Sequence, residues 1–175
     1  MNFSPDASAP LWSGPPQDVL PGATPAAVIL GRGPHIVVAL NPLRCYPTGV
    51  ELKIAVRTGL HAADLYVRVL GSDPASGNPA ADRLQLSVHL FDGTTLDAGY
   101  LSDGEPGPSL TALGSEGSDT YVDVTYWLAP LPPAGPVTVV CAWPEHSILE
   151  TTTTLDFDEI RSAAKRALPL LTTGP

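Results

Sequence analysis

The sequence has few charged residues and a strong bias toward acidic ones, which together exclude several classes of partner. Charged residues make up 15% of the 175 positions, and 9 basic against 18 acidic residues give a formal net charge of −9 at pH 7. No cluster of lysine and arginine of the kind that binds phosphate backbones is present. We therefore predict that the chain binds neither nucleic acid nor an anionic membrane.

Motifs for metal, phosphate or nucleophilic chemistry are also missing. The four histidines show neither H-x-x-x-H nor H-E-x-x-H spacing, and the sequence contains no C-x-x-C, no G-K-[ST] and no G-x-S-x-G. The two cysteines, Cys45 and Cys141, are expected to be buried, reduced thiols that pack like small apolar residues. The sequence thus predicts no catalytic residue, no metal and no cofactor.

Long apolar runs and a secretion signal are absent as well. No stretch approaches the ~18 apolar residues of a membrane-spanning helix. The opening residues, MNFSPDASAPLWSGPP, lack both the basic and the apolar part of a signal peptide. On these grounds we expect a cytoplasmic protein.

Proline and glycine, in contrast, are abundant. The 20 prolines and 16 glycines divide the chain into short segments, which favours strands and turns over long helices. Six prolines fall within residues 1–26, so this part is predicted to be an extended or disordered arm without regular elements. A single domain is predicted over 27–169, followed by a tail at 170–175.

Apolar and polar residues alternate along several segments, as they do in strands with one buried face. The clearest examples are 49–58, 84–91, 120–129, 137–143 and the threonine-rich 149–156. About eight such strands predict a mainly β protein, an antiparallel β-sandwich that is loosely immunoglobulin-like. Residues 64–70 fit both the helical and the strand period and are assigned to a strand. The Gly- and Ser-rich stretch 102–119 is assigned to a loop.

One α-helix is predicted at the C-terminal end, over 156–168. Asp156 is a suitable N-cap, and Glu159 follows at the spacing of a capping box. Apolar residues from Phe157 to Leu168 recur at helical spacing, and Pro169 is expected to end the helix.

Two stretches resemble a group of uncharacterised bacterial proteins that are small and rich in β-structure. YPTGVELKIAVR at 46–57 holds a G-V-E strand. The stretch at 126–156 holds a W-x-x-PLPP-x-GP turn followed by a W-P-x-x-x-I-x-E-T corner. The resemblance covers about half of the chain and implies one compact β-rich domain without implying an activity. Members of the group carry glycine where this chain has Ser147, which permits fewer backbone conformations.

The outward face of residues 121–127 is the first candidate for a functional surface. If the alternate residues form the core, Tyr121 and Trp127 lie together on the solvent side as an aromatic strip. Aromatic residues are enriched at recognition surfaces, so this strip suits a protein partner or a small ligand such as a sugar. The alternative is that the final helix or the proline-rich arm covers this face, and it is slightly favoured because both must pack somewhere. Trp12 is a further aromatic residue, available either to a partner or to the domain itself.

The segment CAWPEHSILE at 141–150 is the second candidate. Glu145, His146 and Glu150 are of the right types for acid–base or metal chemistry, with Cys141 as a nucleophile. However, an apolar strand raises the pKa of a thiol, and Pro144 marks a turn whose polar tip needs no explanation beyond solvation. We therefore favour a noncatalytic module that binds a protein partner or has a structural role. The alternatives are a small-ligand or carbohydrate-binding domain and an enzyme that uses the 145–150 corner; the oligomeric state is left open.

Overall fold

Two antiparallel β-sheets face each other across one apolar core, and a separate two-stranded ribbon packs outside the larger sheet. The computed structural model describes residues 14–25, 27–71, 82–99 and 107–171. The predicted antiparallel β-sandwich with a C-terminal helix is confirmed. In chain order the elements are β1 (Val19–Leu20), β2 (Gly22–Ala23), β3 (Val28–Arg32), β4 (Ile36–Leu40), β5 (Arg44–Tyr46), β6 (Gly49–Thr58), α1 (Leu65–Leu70), β7 (Gln85–Leu90), β8 (Thr95–Asp97), β9 (Ser109–Gly117), β10 (Tyr121–Ala129), β11 (Val137–Trp143), β12 (Ile148–Leu155), α2 (Phe157–Lys165) and β13 (Leu168–Pro169).

The larger sheet has seven strands, with β6 at its centre. β5 pairs with the start of β6, β4 pairs with its end, and β10 pairs along nearly the whole of its other side. Strand β9 follows β10, while β2 extends the sheet beyond β5 and β3 extends it beyond β4. The outer face of β6 and β10 therefore lies in the middle of this sheet.

The smaller sheet has four strands in the order β12-β11-β7-β8. The Thr151 hydroxyl donates to the carbonyl of Leu30 at 2.5 Å, which ties the edge strand β12 to β3 of the larger sheet. The sandwich is thus joined along one side by a hydrogen bond between its two layers.

The core follows from the alternation in the sequence. Every second residue of a strand points to the same face, and the apolar set of each central strand points inward. Strand β6 contributes Val50, Leu52, Ile54 and Val56 to this core, and β11 contributes Val137, Val139, Cys141 and Trp143.

Residues 65–70 form helix α1, so the assignment of 64–70 to a strand was wrong. Leu65 and Val69 are buried at helical spacing, and Gly71 ends the helix in the left-handed conformation that glycine adopts without strain. The buried pair, four residues apart, differs from the helical stripe expected from the sequence, since Leu60 and Val67 of that stripe are exposed.

The C-terminal helix is shorter than predicted. The Asp156 carboxylate accepts from the backbone N–H groups of Asp158 and Glu159, as the capping pattern predicts, but α2 ends at Lys165. Leu168 instead begins strand β13, because the proline that follows it disfavours the helical conformation.

Two further segments predicted to lack regular structure form strands. Within the described part of the arm, β1 pairs with β13 and β2 pairs with β5, so short strands fit between its prolines. Residues 109–117 of the predicted loop form β9, where pairing with β10 outweighs the Gly- and Ser-rich composition. None of the helices in the described ranges is long and apolar enough to cross a membrane.

Candidate functional site

Trp127 is fully buried and does not contribute to an exposed aromatic strip. It shares the outer face of β10 with Tyr121, but its relative exposure is 0%, and its ring meets Tyr46 edge-on with centroids 5.6 Å apart. Val19 of β1 packs against the same cluster. A Cβ atom at Gly49 would lie 2.6 Å from the indole, so the backbone itself closes over the ring. Of the two alternatives for this face, the one in which the arm covers Trp127 is observed. Trp12 lies outside the described residues.

Tyr121, at the other end of β10, is exposed and belongs to a charged cluster. It is 39% exposed, and the Arg57 guanidinium carbon lies 5.4 Å from its ring centroid. Arg57 Nη1 is 2.5 Å from Asp123 Oδ1, and Lys53 Nζ is 3.2 Å from Asp123 Oδ2. Glu116 on β9 also pairs with Lys53, at 3.5 Å.

The charges of this cluster neutralise one another. Burial opposes the ionisation of Asp123, but the hydrogen bonds and charges of Arg57 and Lys53 outweigh it and hold the pKa of Asp123 below its ordinary value. The hydrogen bond to Asp123 in turn raises the pKa of Lys53. A surface depression of about 200 Å³ lies beside these residues. Because both cations already hold carboxylates, the cluster joins β6, β10 and β9 and has little charge left for a ligand.

The 144–147 corner is tied to α1. Pro144–His146 form a single 3₁₀ turn, and Arg68 of α1 forms ion pairs with both Glu145 and Asp64. Burial lowers the pKa of His146, whose ring packs edge-on against Trp143 with centroids 4.4 Å apart. These contacts favour a neutral imidazole used for packing.

The remaining residues of the corner do not complete an acid–base site. Glu150 is exposed on β12, and burial raises the pKa of the Cys141 thiol to about 11, where it is inert as a nucleophile near neutral pH. Across 14–25, 27–71, 82–99 and 107–171, no group of three or more His, Cys, Asp or Glu side chains is placed to hold a metal ion. Ser147 adopts a φ of 59°, the left-handed conformation that suits the glycine expected at this position from the family resemblance.

A cavity of about 300 Å³ lies between α1 and the smaller sheet. Its polar lining includes Arg83, Asp97 and Tyr126, and its volume is at the lower end of the range for small-molecule sites. Neither Tyr121 nor Trp127 lines it, so the sequence-based hypothesis of a ligand site built on these two residues does not apply to this cavity.

Exposed apolar side chains also lie on the ribbon formed by β1 and β13 and directly after it. Leu20 pairs directly with Leu168, and the next pair joins Val19 to Pro169. Side chains alternate between the two faces of a strand, so Val19 points toward Trp127 while Leu20 and Leu168 point away from the sheet. Leu170 shares the parity of Leu168. We call Leu20, Leu168 and Leu170 the leucine face; they are 50%, 61% and 52% exposed.

Basic side chains adjoin the leucine face in sequence. Arg161 and Lys165 are exposed on α2, one helical turn apart, and Leu168 follows three residues after Lys165. Within the described part of the chain, no carboxylate lies within ion-pair distance of either residue, whereas Arg44, Lys53, Arg57 and Arg68 all hold one. Two cations without an ion pair therefore precede the exposed leucines in the sequence.

The leucine face was not predicted from the sequence. Leu168 was expected on the apolar side of a longer helix and Leu170 in a tail. The available signal was the RALPLL stretch, in which leucines alternate around Pro169 after the helical pattern should have ended.

Comparison with known proteins gives a distant likeness in fold. No family model and no curated protein matches the sequence, so the resemblance to a bacterial group stays a prediction. Among solved structures, the archaellum periplasmic stator protein FlaG from Sulfolobus acidocaldarius is 13% identical, with 63% of this chain and 92% of FlaG covered and a TM-score of 0.35. A chain of the FlaF and FlaG stator complex from the same organism is 10% identical, with 87% and 100% covered and a TM-score of 0.31.

The expectation of a cytoplasmic protein is corrected by this comparison. Both matched structures are of proteins that are named as periplasmic. The cytoplasmic assignment is withdrawn, and no compartment replaces it.

Proposed function

We propose that this protein is a noncatalytic β-sandwich module that binds another protein, and that the partner docks on the leucine face. The observation that carries the proposal is the exposure of Leu20 and Leu168, paired on the ribbon, and of Leu170 directly after it. Contiguous exposed apolar side chains bordered by polar residues are typical of protein-binding surfaces.

The ribbon packs on the larger sheet and is closed by a backbone hydrogen bond. Val19 packs into the cluster of Tyr46 and Trp127, and the Leu170 N–H donates to the Asp18 carbonyl at 2.7 Å. The leucines are therefore displayed by a defined element of the folded protein.

The two alternative functions have less support. The carbohydrate hypothesis needed Trp127 on the surface, and the enzyme hypothesis needed Glu145, His146 and Glu150 in one pocket. Trp127 is buried, Glu145 is paired with Arg68, and His146 packs on Trp143.

Affinity capture from the native cell tests the proposal. We expect the wild-type protein to retain a stoichiometric partner that the combined variant Leu20→Ser/Leu168→Ser/Leu170→Ser loses. Leu149→Ser is the matched control, because Leu149 is a leucine 77% exposed on β12, in the smaller sheet. Replacing exposed leucines should change the free energy of unfolding by less than about 0.5 kcal/mol each. Equal recovery of the partner by the triple variant, or no partner with the wild type, contradicts the proposal.

A further inference from the structure

We infer that the outer face of β3, β4 and the end of β6 is a second docking surface, and that it receives a protein segment in which a carboxylate stands beside an apolar side chain. We call it the β3–β4 surface; its residues are Ile29, Arg32, Val37, Ala39, Ala55 and Arg57. It shares no residue with the leucine face, so the inference goes beyond the proposed function and does not depend on it.

A β-bulge in β3 brings Ile29 and Arg32 to the same side of the sheet. Residues three apart in a regular strand point to opposite faces, but the register of β3 against β4 shifts between Ile29 and Gly31. Leu30 is 3% exposed in the core, and a Cβ atom at Gly31 would lie 2.6 Å from the buried side chain of Ile148. Both bulged residues therefore face inward, and Arg32 is turned outward with Ile29.

The strand registers place the six residues in two neighbouring rows across the sheet. The rows are Arg32–Val37–Arg57 and Ile29–Ala39–Ala55. Two strand spacings, about 10 Å, separate the backbones of the two arginines, and two residues along a strand, about 7 Å, separate the rows. One row therefore carries an arginine on each side of a valine, and the row beside it is apolar.

The β3–β4 surface is open to solvent. Arg32 is exposed, Ile29 is 50% exposed, and the side chain of Arg57 is 53% exposed. Val37 and Ala39 are half-buried between them. The described part of the arm packs on the outer face of the same sheet, but around the tryptophan at the other end of β10. The two rows are therefore available to another molecule.

The positive charge of this surface contrasts with the acidic chain around it. None of its six residues is acidic, although the sequence has twice as many acidic as basic residues. Across the described ranges, Arg32 has no carboxylate within ion-pair distance, whereas Arg57 shares Asp123 with Lys53. Within the same ranges, the hydrogen bonds of Arg57 both use Nη1, to Asp123 and to the Val56 carbonyl. Arg32 thus brings a free charge to the row, and Arg57 brings further N–H donors.

A carboxylate is the group that fits the charged row. Guanidinium groups bind carboxylates through parallel N–H donors, and the long side chains of Arg32 and Arg57 can converge on one such group above Val37. The apolar row lies about 7 Å further along the strands, so an apolar side chain next to the carboxylate would cover Ile29 and Ala39. A segment with both features satisfies the two rows together.

Shape and charge favour a polypeptide as the source of the carboxylate. The two cavities described above are lined by other residues, whereas a small acid needs a concave site. The net charge of −9 opposes a polyanion such as nucleic acid. Tyr121 continues the charged row beyond Arg57, with the guanidinium carbon 5.4 Å from its ring centroid, and tyrosine and arginine are both enriched at protein interfaces.

Titration of the purified, isotopically labelled full chain with a defined peptide tests the inference by NMR. The probe is a short peptide in which leucine and glutamate stand side by side between serines and glycines. We expect shifts of the backbone amides of β3, β4 and the end of β6, and binding that weakens as salt rises. The same peptide with glutamine in place of glutamate should bind on the order of tenfold more weakly, because it loses the charged contact.

Matched charge reversals locate the contact. Arg32→Glu should weaken binding of the glutamate peptide on the order of tenfold, because it replaces an attraction with a repulsion. Arg161→Glu is the control, since Arg161 is exposed on α2 and its reversal changes the net charge equally. Ile29→Ser tests the apolar row and should weaken binding by roughly fivefold. The triple leucine variant of the ribbon should bind the peptide as the wild type does.

Several results would overturn the inference. These are equal binding of the glutamine and glutamate peptides, equal weakening by Arg32→Glu and Arg161→Glu, and shifts confined to other parts of the domain. A dimer in light scattering that Arg32→Glu abolishes would assign the surface to a second copy of this chain. Tighter binding of a single-stranded oligonucleotide at the same amides would assign it to nucleic acid. Either of these last two results also overturns the inference.

Discussion

The two ends of the outer face of β10 have the same position in the sheet and opposite environments. Tyr121 and Trp127 have the same strand parity, yet Tyr121 remains at the surface above a set of ion pairs while Trp127 is enclosed by Tyr46 and the ribbon. Period-two alternation assigns a residue to a face of the sheet. Whether that face meets solvent depends on where the arm and the residues after α2 are placed.

Removing the buried aromatic should have the largest effect of the changes that test this comparison. Trp127→Ala is expected to lower the free energy of unfolding by about 3–5 kcal/mol, because it leaves a cavity beneath the ribbon. Urea denaturation measures the change, and Trp127→Phe, which keeps most of the ring volume, should cost clearly less. A loss below 1 kcal/mol for Trp127→Ala would mean that the indole is not enclosed as described.

Removing the carboxylate at the charged end should have an intermediate effect. Asp123→Asn leaves Lys53 and Arg57 without their common partner, and we expect a loss of about 1–2 kcal/mol near neutral pH. The estimate lies below that for a fully buried ion pair because both cations are partly exposed.

The pH dependence of stability gives a second measurement on the same pair of proteins. The pKa of Asp123 is lowered in the folded state, so its contribution is complete above the unfolded value of about 3.9 and disappears as the pH falls through the folded value. The difference between wild type and Asp123→Asn should therefore shrink below about pH 4. A difference that is constant from pH 7 to pH 2 would contradict this account.

The smallest effect is expected at Tyr121 itself. Tyr121→Ala removes an exposed ring and its contact with the Arg57 guanidinium, which should cost about 0.5–1 kcal/mol. Tyr121→Phe keeps the ring face and should be nearly neutral. If Tyr121→Ala destabilised the protein as much as Trp127→Ala, the contrast between the two ends of β10 would not hold.

The sequence was sufficient for the central strands and for one helix cap. Strand β6 alternates because one face of it is buried over its whole length, and Asp156 caps α2 through bonds to residues two and three positions away. Both features are determined within a few residues of the chain. The sandwich class follows from repeating such local patterns along the sequence.

The features that the sequence left open or did not reveal depend on distant contacts. The burial of Trp127 involves Val19, and Val19 is held in place by pairing with Pro169 near the other end of the chain. The leucine face was missed for the same reason, because Leu168 continues the helical pattern of α2 and becomes exposed only through that pairing. At Glu145 the interaction with Arg68 of α1, a segment assigned to a strand, replaced the expected solvation of a turn tip.

The pairing of β1 with β13 also has a consequence for the order of folding. It closes a loop that contains most of the chain with only two residue pairs, so the entropy of closure is large relative to the hydrogen bonds gained. During folding, the ribbon should form after the sandwich. In the native state, it should open locally while the sandwich stays folded. In hydrogen exchange, the Leu170 amide would then exchange through this local opening, while the Ile54 amide in β6 would wait for global unfolding. A ligand seated on the leucines would slow the first rate far more than the second.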